Sequence, residues 1–211
     1  HVLVVDDRSP DGTAEAVRSY RRQRPDATIE LIVRDGERGL GHAYRAGMAY
    51  GLEHGYALII TMDADGSHSP LHLPAMLAAI VDADVVIGSR YTIDGGTINW
   101  RIRRILLSWL ANRFARSLLR LQGSDLTSGF RVYRREVLAG IGPETVKSSG
   151  YSFLVEMLCL AQRLGARIAE VPIIFYDRTL GESKISKNEI YRGALALFRL
   201  RFLRPPRHDA R

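Results

Sequence analysis

Four short, mostly apolar runs constrain this chain more than any other feature, because each stops at a charged or glycine-containing turn. They are Val2–Val5, Ile29–Val33, Ala57–Met62 and Val85–Ile87. Runs of this kind suit strands covered on both faces. Helical patterns lie between them. Asp11 and Thr13 are cap-type residues before a polar helix to about Arg22, Gly41–Glu53 reads as a second helix, and Pro70 can start a third to about Val81. The β-α-β-α-β-α-β alternation predicts an α/β fold with a doubly wound, mostly parallel sheet. No apolar run approaches the ~18–20 residues of a membrane-spanning helix. The start has no signal-peptide pattern. The single cysteine, Cys159, excludes an intrachain disulfide and a cysteine metal cluster. It lies in the apolar run Phe153–Leu160 and is expected in the core.

The second half reads differently. Asn99–Gln122 is one long helix or two, with arginines set between bulky apolar residues. Ser124–Arg131 is expected as a loop, Ser152–Leu164 as a helix and Arg167–Tyr176 as a strand. A polar loop, Arg178–Lys187, and a basic helix, Ile190–Leu203, follow, stopped by Pro205 and Pro206. No repeat or linker divides the chain, so residues 1–211 are expected as a single domain. Charge is nevertheless uneven. Residues 1–89 carry 8 arginines against 13 acidic residues, a net of −5, and the remainder carries +12. An acidic half suggests working carboxylates, and a basic half suggests an anionic partner. Residues 1–90 are therefore read as a nucleotide- and metal-binding half, and 91–211 as an acceptor- and membrane-facing half.

Three strand ends carry the candidate chemistry: Asp6-Asp7, Asp63-Ala64-Asp65 and Gly88-Ser89-Arg90. In open α/β sheets, ligands bind beyond the carboxyl ends of the strands. Any one such carboxylate is ordinarily a cap or a solvated turn; three together point to a site. Two carboxylates at i and i+2 after a buried strand can share a hard cation with substrate phosphates. His68 and His72 have zinc-like spacing, but Ser69 stands where a catalytic glutamate would follow the first histidine, which argues against zinc. Gly39-x-Gly41 lacks the third glycine and lysine of a phosphate loop and reads as a turn before a helix. Arg90, Arg178 and Lys184 offer cations to an anionic ligand. The helices at 100–122 and 190–203 mix aromatic residues with arginines, as at a membrane interface, although a core-facing helix with a polar back has a similar composition. A nucleic-acid partner is not expected, since no recognised binding fold is present.

Together, Val4–Thr13, Asp63–Pro70, Gly88–Tyr91, Asp125–Arg131, Glu170–Pro172 and Asp177–Lys184 resemble the family 2 glycosyltransferases, and within them the dolichol- or polyprenol-phosphate mannosyltransferases. The resemblance runs from about residue 2 to residue 198. It implies a GT-A (Rossmann-like) fold that transfers mannose from GDP-mannose to a polyprenyl phosphate, with inversion and with Mg²⁺ or Mn²⁺. Carried onto this sequence, Val5 and Asp7 would contact the nucleoside. Met62, Asp63, Ala64 and Asp65 would line the diphosphate and metal. Ser67 stands where relatives often place a glutamine ligand. Arg90, Arg178 and Lys184 would bind phosphates, and Arg131 would position the acceptor. Catalysis is expected to rest on Asp65, Arg90 and Arg131. Such enzymes begin with another strand and helix, which this sequence lacks, so a truncated chain or one domain of a larger protein is expected.

A phosphomonoester with a second pKa near 6 is already anionic at neutral pH, so no general base is obligatory. The resemblance also implies a peripheral protein at the cytoplasmic face of the membrane, held there by a basic surface, an anchoring partner or a fused domain. Two alternatives remain open at this point: another donor such as UDP-glucose, and a non-catalytic membrane-surface nucleotide-binding module.

Overall fold

The apolar runs become strands where expected. The computed structural model describes residues 1–177 and 187–202. Arg178 and Lys184 therefore lie outside the described residues, as do most of the expected 178–187 loop and Pro205-Pro206. Strand β1 (Val2–Asp6) pairs in parallel with β2 (Ile29–Val33), and α1 (Thr13–Gln23) makes the crossover. Helix α2 (Leu40–Glu53) then leads to β3 (Leu58–Thr61). A 3₁₀ turn at Pro70–His72 precedes α3 (Leu73–Ala79), followed by β4 (Val85–Ser89), β5 (Gly96–Ile98) and α4 (Ile102–Leu119). The chain continues through β6 (Arg131–Arg134), α5 (Arg135–Ile141), α6 (Tyr151–Arg163), β7 (Ile168–Pro172), β8 (Ile174–Tyr176) and α7 (Lys187–Arg201).

Two expectations are corrected. The first three crossovers suggested consecutive parallel strands. Instead β6 lies between β3 and β4 and runs antiparallel to both, in the order β3-β6-β4-β7. Its sequence, Arg-Val-Tyr-Arg, hides a strand because Arg131 is wholly buried. Arg167–Tyr176 is not one strand. It divides at Ile173 into β7, parallel to β4, and β8, parallel to β5 in a separate two-stranded sheet.

Period-2 alternation distributes the central sheet between two layers. Val86 and Val132 face Met76 and Ile80 of α3. Val85, Tyr133 and Ile59 face the opposite way, toward Met48, Leu138, Phe153 and Met157. A third cluster joins Ile87, Ala115, Leu158, Cys159 and Leu200 beneath α4, α6 and α7. Cys159 is thus a buried core thiol, and burial pushes its pKa up.

Helix α4 departs from ordinary packing. It buries Asn112 and Ala115, while Leu106, Leu107, Leu110 and Phe114 are about half exposed. Asn112 explains the inward polar face: its Oδ1 accepts the Leu126 N–H at 2.8 Å, and its Nδ2 donates to the Ser108 carbonyl. Helix α7 is fastened to α6 by Arg199, which donates to the buried Glu156, and by Arg163 of α6, which donates to the Leu200 carbonyl.

Arg131 anchors the loop that leads into β6. Its guanidinium donates to the carbonyls of Leu126, Ser128 and Leu154 at 2.6–2.9 Å, and to the Tyr133 hydroxyl. Losing these donors leaves three buried carbonyls short of a partner, at about 1–3 kcal/mol each. Arg131→Met is expected to lower unfolding stability by about 3 kcal/mol or more in urea denaturation. Arg131→Lys should recover only part of this, because an ammonium cannot reproduce the planar fork.

Candidate active site

The DxD segment begins where β3 ends. Gly66 takes a left-handed conformation (φ 78°) and turns the chain back. The turn lets Asp65 Oδ1 accept the Ser67 N–H at 3.0 Å. Met62, Ala64 and Asp65 are exposed at this edge, and Asp63 is partly exposed. Ser67 is buried, and its hydroxyl has no hydrogen-bond partner among the described residues.

Asp63 is held from two sides. Its N–H donates to His68 Nδ1 at 3.1 Å. Its Oδ1 accepts from the Tyr44 hydroxyl of α2 at 3.0 Å. Behind it, Thr61 Oγ1 donates to the Gly129 carbonyl at 2.7 Å, tying β3 to the 125–131 loop. The His68 ring is buried against Phe130 and Phe175. Burial lowers its pKa, and the nearby Asp63 charge only partly opposes this. Nδ1 accepts a backbone proton, so the ring is the neutral tautomer carrying its proton on Nε2. His72 Nε2 likewise accepts the Ile174 N–H. The zinc-like pair is thus occupied in bracing backbone. Tyr44 stays protonated, because burial and the Asp63 charge push its pKa well above the ordinary value.

The remaining candidates lie at the ends of β1 and β4. At the end of β1, Asp6 accepts the Ser9 N–H, while Asp7 pairs with Arg34 and accepts the Gly39 N–H at 2.8 Å. The glycine turn before α2 is therefore moored to Asp7. Val5 is partly buried beside it. At the end of β4, Arg90 is buried and grips Asp125 bidentately, with Nε and Nη2 each 2.6 Å from a carboxylate oxygen. The Arg90 N–H also donates to Asp125. Glu170 completes the mooring by accepting from the N–H groups of Ser124 and Asp125.

Two expected roles need correction. Arg131 does not reach an acceptor phosphate: it is wholly buried and bound to main-chain carbonyls. Arg90 is not a freely presented phosphate fork, because Asp125 takes the Nε and Nη2 edge. It is also packed 5.1 Å from the Trp100 ring centroid. Sequence reasoning missed Tyr44, Asp125 as partner of Arg90, and Arg104. Arg104 stacks 3.9 Å over Trp100 and pairs with Asp177 at 2.7 Å. None of these contacts has a local sequence signal; 73 residues separate Arg104 from Asp177.

The residues fit a divalent cation. Asp63 and Asp65 supply hard carboxylate oxygens, and the unpartnered Ser67 hydroxyl lies two residues beyond Asp65. Among the described residues, no cluster of three His, Cys, Asp or Glu side chains exists that could enclose a metal alone. Such a sparse, oxygen-only set suits an ion that shares its coordination with phosphates and water.

The family model for glycosyl transferase family 2 matches residues 1–142. The chain belongs to glycosyl transferase family 2. It is accordingly a glycosyltransferase, and its fold is of the GT-A type. It is 46% identical over 185 residues to an undecaprenyl-phosphate mannosyltransferase of Micrococcus luteus, covering 88% of this chain and 75% of that protein. It is 45% identical over 192 residues to a polyprenol monophosphomannose synthase of Mycolicibacterium smegmatis, covering 90% and 72%. Among solved structures, glucosyl-3-phosphoglycerate synthase of Mycobacterium tuberculosis, in complex with Mn²⁺, UDP and phosphoglyceric acid, aligns with a TM-score of 0.63 at 17% identity, covering 97% of this chain and 68% of that one. A mannosyltransferase of Pyrobaculum calidifontis in complex with GDP-mannose and Mn²⁺ aligns with a TM-score of 0.55 at 19% identity, covering 87% and 49%. These two likenesses concern the fold.

The Arg90–Asp125 pair makes a pH-dependent contribution. Burial alone would raise the Asp125 carboxyl; Arg90 outweighs it and leaves the pKa below the ordinary value. Stability from this carboxylate is therefore full above about pH 4 and is lost as pH falls through the lowered folded-state value. Asp125→Asn is expected to cost about 3–5 kcal/mol at pH 7, because it strands a buried guanidinium. Urea midpoints at pH 7 and pH 3 should show a smaller acid loss in the variant than in the parent.

Proposed function

We propose that this glycosyltransferase moves mannose from GDP-mannose to the phosphate of a polyprenyl phosphate, with inversion at the anomeric carbon. The reading rests on the Asp63-Ala64-Asp65 edge, presented at the end of β3 and braced from behind, in a chain so similar to two proteins named for that chemistry. Asp63 and Asp65 would hold Mg²⁺ or Mn²⁺, with Ser67 beside them. When bound, the ion supplies charge neutralisation for the departing diphosphate.

The chain's own residues do the rest by placement. Val5 and Asp7 stand at the end of β1 to receive the nucleoside, with Asp7 oriented by its ion pair to Arg34. Arg104 brings positive charge to the Trp100 rim, and Arg178 and Lys184 are proposed to bind phosphates of donor or acceptor. The lipid phosphate attacks in line, already anionic near neutral pH, and no side chain needs to remove its proton. Fixed charges aimed at the leaving group lower the barrier without reorganising during the reaction.

The proposed location is the cytoplasmic face of a membrane, peripherally bound, together with any anchoring partner or fused domain. Leu106, Leu107, Leu110 and Phe114 of α4 continue into Leu195 and Phe198 of α7, with Phe114 and Phe198 in edge contact at 6.5 Å. Exposed Arg113 and Arg116 flank this apolar face. An apolar surface edged by arginine matches an anionic lipid interface. No helix among the described residues is long and apolar enough to cross a membrane.

The decisive assay uses the natural full-length protein with radiolabelled GDP-mannose, a short polyprenyl phosphate and Mg²⁺. Label extracted into a mild-acid-labile lipid supports the proposal. Label arriving only from UDP-glucose would overturn the donor, and none from either nucleotide would point to a non-catalytic module. Asp65→Ala is expected to lower turnover on the order of 100-fold or more. Reversing both arginines, Arg113→Glu with Arg116→Glu, should weaken sedimentation with anionic vesicles at least tenfold, since each cation contributes about 1 kcal/mol there. Binding to neutral vesicles should change much less.

A further inference from the structure

Asp63 has two carboxylate oxygens, and the fold treats them differently. Oδ1 accepts the Tyr44 hydroxyl proton at 3.0 Å. Oδ2 lies 3.8 Å from His68 Nδ1, beyond hydrogen-bond distance. Tyr44 itself is rigidly placed. Its ring stacks on Phe153, with centroids 5.9 Å apart and planes within 5°, and Phe153 is wholly buried in the core. The hydroxyl occupies the space in front of Gly129. A Cβ at residue 129 would run into that hydroxyl and lie 3.1 Å from Asp63 Oδ1. Gly129 is not in a left-handed conformation, so the glycine is explained by this close approach and not by backbone geometry.

We infer that Tyr44 is a positioning residue of the donor site: through its hydroxyl, admitted by the missing side chain of Gly129, it locks Asp63 Oδ1 and reserves Oδ2 for the cation. The inference rests on the proposed metal role of Asp63. Free rotation about the Cβ–Cγ bond would exchange the two oxygens. The tyrosine hydrogen bond removes that freedom before any ligand arrives. Partners behind a ligand typically change metal affinity 10–100-fold when removed.

The test measures Mn²⁺ binding to the natural full-length protein by electron paramagnetic resonance, with GDP saturating and circular dichroism confirming the fold. Tyr44→Phe keeps the ring stack on Phe153 and deletes only the hydroxyl. It should weaken Mn²⁺ binding about tenfold or more. Gly129→Ala should weaken it comparably in the parent, by pushing the hydroxyl off Asp63. In the Tyr44→Phe background the added methyl meets the ring Cζ at an ordinary 3.5 Å and only the 3.1 Å approach to Asp63 Oδ1 remains, so the further loss from Gly129→Ala should be clearly smaller than in the parent. A Tyr44→Phe protein binding Mn²⁺ within twofold of the parent overturns the inference alone. Equal losses from Gly129→Ala in both backgrounds overturn the hydroxyl as the coupling element. A parent that binds no Mn²⁺ overturns the metal reading of Asp63, and the inference with it.

Discussion

The buried ion pair between Arg90 and Asp125 is the interaction on which the site depends. Neither partner sits in water, so each is tolerable only because the other is present with good geometry. The pair joins the end of β4 to a loop 35 residues later. Glu170, from β7, grips the same loop at Ser124 and Asp125. Arg131 then pins it from within through the Leu126 and Ser128 carbonyls. What this scaffolding delivers is Gly129, whose carbonyl takes the Thr61 hydroxyl and whose missing Cβ admits Tyr44. The motifs around 90, 125–131 and 170 thus form one brace behind the DxD segment.

This view changes the accounting of charge. Two arginines that look like ligands for phosphate are spent on the fold, and their positive charge acts only at a distance. An enzyme that binds polyanions gains from such placement. A guanidinium committed to a carboxylate cannot swing into the donor pocket, and a fixed dipolar wall needs no reorganisation during reaction.

Much of the fold was legible because its strands are continuous apolar runs and helix-start residues such as Asp11 and Pro70 mark its crossovers. The Asp63-Ala64-Asp65 edge was legible because a strand end is where such a sheet exposes polar groups. Strand β6 was not, since a buried arginine looks like a surface residue until its carbonyl partners are known. Tyr44 was not, because nothing within α2 distinguishes it; its role depends on Gly129, 85 residues away. The 68/72 histidine spacing was misleading in a useful way. Both rings hold main-chain N–H groups, which a one-dimensional pattern cannot separate from metal binding.

Helix α4 connects the chemistry to the proposed lipid surface. Its first turns carry Arg104, stacked on Trp100 beside the site, and its later turns carry Phe114 on the exposed apolar face. Ten residues of helix span about 15 Å, so Arg104 and Phe114 are held at a fixed separation on one rigid element. Asn112 makes this arrangement work. By turning a polar side chain inward to hold Leu126, it lets the helix pack through a small face and leave its large residues outside. The same hydrogen bond secures the loop that carries Gly129. A helix that met the core with its leucines would bury the proposed membrane face and remove one support from the DxD brace. The inverted packing of α4 therefore serves the DxD brace and the proposed membrane face together.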